Sequence, residues 1–299
     1  MLPQVVCFGE TLFDVLPDGR HPGGAPMNVA VHLRQLGVSA AIISRMGTDE
    51  PGAALLDFLK SRNVETSGIQ SDERYPTGLV MADVSNPSEI RYDIVYPSAW
   101  DFIEVTPAAQ AWVSAAEVMV FGSLVARSSV SASSLLRLVD AARYPVLDIN
   151  LRAPHYTREI LEQLMSRARM VKLNEHELAL IASWYTDEND DRIQMAVLQE
   201  KYKWDTLCVT LGGDGAWLRT KSTLYRQTGF KVTVADTIGS GDSFLAALLH
   251  HRLAGKPDHE ALRFACGVGA LIASRKGATP DWTQEDVYAL IRSQQGDPV

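Results

Sequence analysis

Cysteine is scarce in this sequence, and the little there is does not cluster. Cys7, Cys208 and Cys266 are the three, each in its own apolar stretch. That spacing offers no metal-ligand set, and it suits buried free thiols in a reducing compartment better than a disulfide framework. Long apolar runs are missing as well. No segment is long enough to span a bilayer, and no basic stretch precedes an apolar one near residue 1. A cytoplasmic protein with no membrane partner is the expectation. Lysine and arginine form no cluster and the net charge is −8, which argues against a nucleic-acid partner. The seven histidines are scattered, and His250 with His251 reads as a pair on a helix surface. Repeats and low-complexity tracts are absent too.

What is present is an ordinary globular composition: 46% hydrophobic and 21% charged over 299 residues, enough for a sizeable core. Short apolar strands are expected at Val5–Phe8, Ala40–Met46, Val118–Phe121, Val146–Ile149, Met170–Leu173 and Leu207–Leu211. Helical stripes follow most of them. Val29, Ala30, Leu33 and Leu36 form one, with Pro26 at its first helical position and Gly37 closing it, and Gly52–Ser61 forms the next. Such alternation predicts an α/β fold with a mostly parallel central sheet covered by helices on both faces. The stretch from Tyr75 to Phe102 breaks the rhythm. It reads as a β-hairpin turning at Asn86-Pro87-Ser88, a candidate lid over the strand ends. The same hairpin offers an edge for pairing two copies of the chain as a homodimer.

The most informative stretch is Asp236-Thr-Ile-Gly-Ser-Gly-Asp242. Lys231–Ala235 alternates as a strand would, and Phe244, Ala247, Leu248, Leu249 and Leu253 recur at helical spacing up to Gly255 and Pro257. Gly239, Ser240 and Gly241 therefore open a helix. Its first amides lack intrahelical partners and its dipole is positive there, so an anion fits. Asp242 beside that anion is repulsive unless it has work to do. General base is the role inferred, taking a proton from a hydroxyl that attacks a phosphoryl group held by the amides. The plainer reading is an acidic residue favouring a helix start.

A second glycine-rich stretch, Gly23-Gly24-Ala-Pro-Met-Asn28-Val-Ala30, also opens a helix. Taken together, the two stretches resemble the two signatures of the ribokinase-like (PfkB) carbohydrate kinases. Lys172-Leu-Asn174-Glu-His-Glu177, Thr210-Leu-Gly212-Gly-Asp-Gly215 and Arg275-Lys-Gly277 resemble further motifs of that family, so the likeness covers nearly the whole chain. Within the family, Gly9-Glu10-Thr-Leu12-Phe-Asp14, Gly-Gly-Ala-Pro-x-Asn and Asp148-Ile-Asn150-Leu-Arg152 look most like fructokinases.

The resemblance implies a single three-layer ribokinase-like domain over residues 1–299, with a small β lid made mainly by 75–102 and the connection 13–22. It implies an ATP-dependent kinase acting on a primary hydroxyl of a small sugar, fructose to fructose 6-phosphate, with Mg2+ and K+ as cofactors. Asp242, Gly239, Ser240 and Gly241 would be catalytic. Asp14, Gly24, Asn28, Ala99 and Arg152 would bind substrate, and Asn174, Thr210, Gly212 and Gly215 the nucleotide. Glu177 would serve the magnesium. Asp236, Ile238, Arg275 and Gly277 would hold the monovalent ion. Rival readings are a kinase for 2-keto-3-deoxygluconate, whose carboxylate Arg152 could pair, and a sugar-sensing protein without turnover. The chain departs from fructokinases in the lid, where Ile94-Val95-Tyr96 precedes Pro97-Ser98-Ala99 and the nearest arginine is Arg91. Asp281 stands where a ribokinase has serine.

Overall fold

The computed structural model describes residues 2–83 and 91–294. Its strands, in chain order, are β1 (Val5–Phe8), β2 (Leu12–Leu16), β3 (Gly19–Gly23), β4 (Ala40–Gly47), β5 (Ile69–Asp72), β6 (Gly78–Asp83) and β7 (Arg91–Ile94). They continue as β8 (Val118–Gly122), β9 (Pro145–Asp148), β10 (Met170–Asn174), β11 (Thr206–Thr210), β12 (Ala216–Thr220) and β13 (Leu224–Gln227). Nine of them form one sheet in the order β13-β12-β11-β10-β9-β8-β1-β4-β5. From β11 to β5 all neighbours are parallel; β12 and β13 append an antiparallel edge.

The central strand shows why three layers form. β1 is Val-Val-Cys-Phe with every residue fully buried. Alternate side chains leave a strand on opposite faces, so Val5 and Cys7 enter one core while Val6 and Phe8 enter the other. The first core is closed by helices Ala25–Gln35, Ser240–Leu253 and Asp258–Ala273. Helices Pro107–Ala115, Ser129–Val139, Arg158–Met165, Glu175–Ala182 and Asp191–Tyr202 close the second. A strand buried on both faces has no place for polar alternation, hence the unbroken apolar run. Strand order reverses between β1 and β8, and their carboxyl ends open the crevice in which such folds bind ligands.

The remaining four strands form a small sheet, β3-β2-β6-β7. β6 and β7 are the antiparallel pair expected between residues 75 and 102, with Val80 opposite Ile94. Their turn, expected at residues 86–88, lies outside the described residues. The connection 13–22 is more ordered than its sequence suggests. It supplies a second hairpin, β2 against β3, and β2 pairs parallel with β6.

Several expectations need correction. Lys231–Ala235 is not a strand. Its polar groups go elsewhere: the Ala235 and Asp236 amides donate to Ala273 O at the end of a helix, and Lys231 N donates to Gln294 Oε1. Val234 is 61% exposed, so the alternation there served no sheet. The first glycine-rich helix begins at Ala25, placing Pro26 second. His251 is buried rather than on the surface, stacked on Phe264 at 4.1 Å between ring centroids. All three cysteines are free and buried, and no described helix is long and apolar enough to cross a membrane.

Candidate active site

The carboxyl ends of β1, β9, β10 and β11 and the inner residues of the small sheet surround a cleft of about 590 Å³. Glu10, Asp148, Asn174 and Thr210 come from the strand ends; Leu12, Asp14, Val80 and Ile94 come from the small sheet. A second cavity of about 210 Å³ lies alongside, lined by Gly212, Gly215, Gly229, Phe230, Phe244 and Cys266 among others. Thr210, Thr237 and Gly241 line both, so the two spaces meet at the glycine turn.

That turn is made by close packing. Gly239 caps the helix Ser240–Leu253 at φ 74, and a Cβ on it would collide with the Ala278 carbonyl. Ala278 O is in turn held by buried His32, whose Nε2 lies 3.0 Å away, while Trp282 Nε1 donates to His32 Nδ1 at 3.2 Å. Burial lowers the His32 pKa to about 4. The ring is therefore neutral, with its proton on Nε2.

Asp242 sits in the first helical turn, 9% exposed, and its Oδ2 accepts from Asn28 Nδ2 at 2.8 Å. The two glycine-rich stretches, 214 residues apart in sequence, are joined by this bond. Burial, aided by the Asp148 charge, pushes the Asp242 carboxyl up to about 6, against the pull of Asn28, Lys172 and Arg152. A base of that strength is largely ionised at neutral pH and still accepts a proton readily.

Lys172 ends up beside this base. Its Nζ lies 2.8 Å from each oxygen of Asp148, and both residues are buried. Burial works against the ammonium, but Asp148 outweighs it and the lysine pKa is raised. A Cβ on Gly241 would stand 3.3 Å from Nζ, so the amine lies directly under the helix start. Neither Lys172 nor Asp148 was assigned a role from sequence. The signal was there: one charge inside each of two apolar strands, Lys172 opposite Asp148 in register. Such charges are expensive to bury unless paired.

Asn174 and Glu177 cap their helix reciprocally: Asn174 Oδ1 accepts from Glu177 N at 2.9 Å and Glu177 Oε2 from Asn174 N at 2.8 Å. Glu177 Oε1 accepts from Leu151 N at 2.7 Å. Burial raises its pKa. Asp14 lines the cleft with its carboxyl raised to about 6 by burial, opposed by Arg152 and His21. Arg152 is exposed at the cleft edge. Gly24, at φ 113, approaches the Glu10 backbone so closely that no side chain fits. Ala99 does not belong to this set: it is fully buried and absent from the cleft lining, its amide donating to Pro76 O.

Asp236 has partners that the sequence did not reveal. Oδ1 accepts from Ile238 N at 3.0 Å and Oδ2 from Gly277 N at 3.1 Å, so one carboxylate ties the turn to the segment Arg275–Gly277. The Arg275 guanidinium bonds Asp281 O and Asp286. The Asp281 carboxylate faces away, in an ion pair with Arg62. Among the described residues no group of three or more His, Cys, Asp or Glu is arranged to hold a metal ion.

The sequence profile described as pfkB family carbohydrate kinase matches residues 4–285. The chain is 32% identical to probable fructokinase-6, chloroplastic, of Arabidopsis thaliana, over 97% of this chain and 83% of that one. It is 30% identical to a putative sugar kinase of Pyrococcus horikoshii, over 99% and 97%. Among solved structures, fructokinase of Vibrio cholerae O395 in its fructose, ADP and calcium ion bound form is similar with TM-score 0.83 at 25% identity, covering 97% of this chain and 99% of that one.

Proposed function

Because the chain belongs to the pfkB family of carbohydrate kinases, we propose that it transfers the γ-phosphoryl group of ATP to a primary hydroxyl of fructose, giving fructose 6-phosphate and ADP. The observation that carries this is the position of Asp242, a buried base at the mouth shared by two cavities, bonded to Asn28 of the other glycine-rich stretch. The larger cleft takes the sugar, against Asp14, Gly24 and Asn28. The smaller one takes the nucleotide past Thr210, Gly212 and Gly215, with Asn174 near its phosphates. Relatives named fructokinase support the choice of sugar.

In the reaction Asp242 accepts the hydroxyl proton as the sugar oxygen forms its bond to phosphorus, and the bond from phosphorus to the ADP oxygen breaks. The amides of Gly239 and Gly241 and the Lys172 ammonium face the charge spread over the transferring oxygens, whereas the Ser240 amide is already donated to Thr237 O at 3.3 Å. Glu177, whose oxygens each accept one backbone amide and keep a lone pair, would help to hold a magnesium ion carried with ATP, and that ion would neutralise phosphate charge. K+ would be held by Asp236 with the carbonyls of Ile238, Arg275 and Gly277, an all-oxygen set, and would stiffen the turn from behind.

An ADP-release assay over neutral and acidic sugars tests the substrate. Fructose should give the highest kcat/KM. A much better 2-keto-3-deoxygluconate would overturn the fructose assignment, and Arg152→Ala should then remove the preference for the acid. Run in potassium and in sodium at equal ionic strength, the assay also tests the ion: kcat should be higher in potassium, and Asp236→Ala should lose the difference. Equal rates in both salts would leave Asp236 a purely structural tie.

A further inference from the structure

Two buried polar atoms on the cleft wall have no partner within the protein: Glu10 Oε2 and Asn28 Oδ1. Each residue has already spent its other polar atom. Glu10 Oε1 accepts from Ala25 N at 3.2 Å, and Asn28 Nδ2 donates to Asp242. The first of these bonds does necessary work. The helix Ala25–Gln35 has neither a side-chain cap of its own nor an acidic residue in its first turn, so Glu10 reaches over from the end of β1 to supply one. One carboxylate oxygen suffices for that. The second is left over, in a residue only 2% exposed.

An unmatched buried acceptor is costly, and it persists where a ligand completes it. We propose that Glu10 is a specificity residue that accepts a hydrogen bond from a hydroxyl of the sugar through Oε2, beside a second hydroxyl taken by Asn28 Oδ1. The inference rests on the sugar-kinase reading and narrows it. A polyol with neighbouring hydroxyls supplies two O–H donors to this wall. A carboxylate in the same place supplies none and meets the Asp14 and Asp242 carboxylates across the cleft. The wall therefore selects neutral sugars over sugar acids. Burial pushes the Glu10 carboxyl up to about 7, consistent with an environment that offers it too few partners before substrate arrives.

Glu10→Gln separates the two jobs of this side chain. The glutamine carbonyl can still cap Ala25 N, while its amide nitrogen puts a donor where Oε2 accepted. The variant should melt no lower than the wild type and keep its KM for ATP, and its KM for the sugar should rise about tenfold to hundredfold. Monodeoxy analogues locate the contact: the one lacking the hydroxyl that meets Glu10 should be poor with the wild type, yet lose little further with the variant. An unchanged sugar KM beside a normally active wild type overturns the assignment of Glu10 alone. Equal losses for every analogue, with a lower melting temperature, would reduce Glu10 to a helix cap. A wild type in which none of the sugars prompts ADP release overturns the kinase reading and this inference together.

Discussion

At the scale of single residues the site is built around carboxylates kept short of their usual partners. Asp242 lies buried near Asp148, and its carboxyl is pushed to about 6 from an ordinary 3.8. Two consequences follow for Asp242→Asn. As the base is lost, kcat should fall by several orders of magnitude with sugar and ATP binding little changed; a variant keeping more than about a tenth of kcat with normal binding would refute the assignment. In the wild type, kcat/KM should rise with pH through about 6, as the base becomes ionised. Stability should move the other way. The folded chain holds this proton more tightly than the unfolded one, so the wild type loses stability as pH climbs from about 4 to about 6. Above that, the Asn variant should melt a few degrees higher, and the gap should close toward pH 4. Asp242 itself was legible in the sequence because a glycine turn announced it. Glu10, Asp148 and Lys172 were not assigned, since what they do depends on atoms from distant strands, and only register and packing reveal them.

Among the elements, the small sheet is the one whose attachment the sequence hid. β7 leaves that sheet at Ile94, which lines the cleft opposite Val80. The carbonyls of Ile94 and Val95 both accept from the Arg127 guanidinium, at 3.1 and 2.7 Å. The same guanidinium pairs with both oxygens of Asp101 at 2.7 and 2.8 Å and lies 3.9 Å from the Trp100 ring centroid. Arg127 and Asp101 are almost wholly buried. The absence of an arginine just before Pro97-Ser98-Ala99 is thus met by one from the body of the protein, holding backbone rather than lining the cleft. Lysine cannot reproduce that planar fork. Arg127→Lys should raise the sugar KM severalfold with the ATP KM unchanged. Arg127→Ala, which strands a buried carboxylate, should cost about 3–5 kcal/mol in denaturant unfolding. Equal sugar KM values in wild type and Arg127→Lys would show that the clamp serves stability only. Periodicity located β6 and β7 but misled at Lys231–Ala235, where alternation arises without a neighbouring strand to pair with.

For the molecule as a whole, the layered core was the most legible part, because β1 and its neighbours must be apolar on both faces and helices must cover each. The meeting of two cavities was not legible, since it depends on where β1, β10, β11 and the helix Ser240–Leu253 arrive together. One contact in that meeting place has a temporal side. Gly239 rests on the carbonyl of Ala278, and His32, from the first helix, grips the same carbonyl with Trp282 behind it. A nascent chain that has emerged only as far as Asp242 already carries its base, its glycines and every described strand. The surface against which the turn is moulded is still unmade. Competence thus waits until Ala278 and Trp282 have been made, and a polypeptide interrupted before them would carry the reactive residues without the means to aim them.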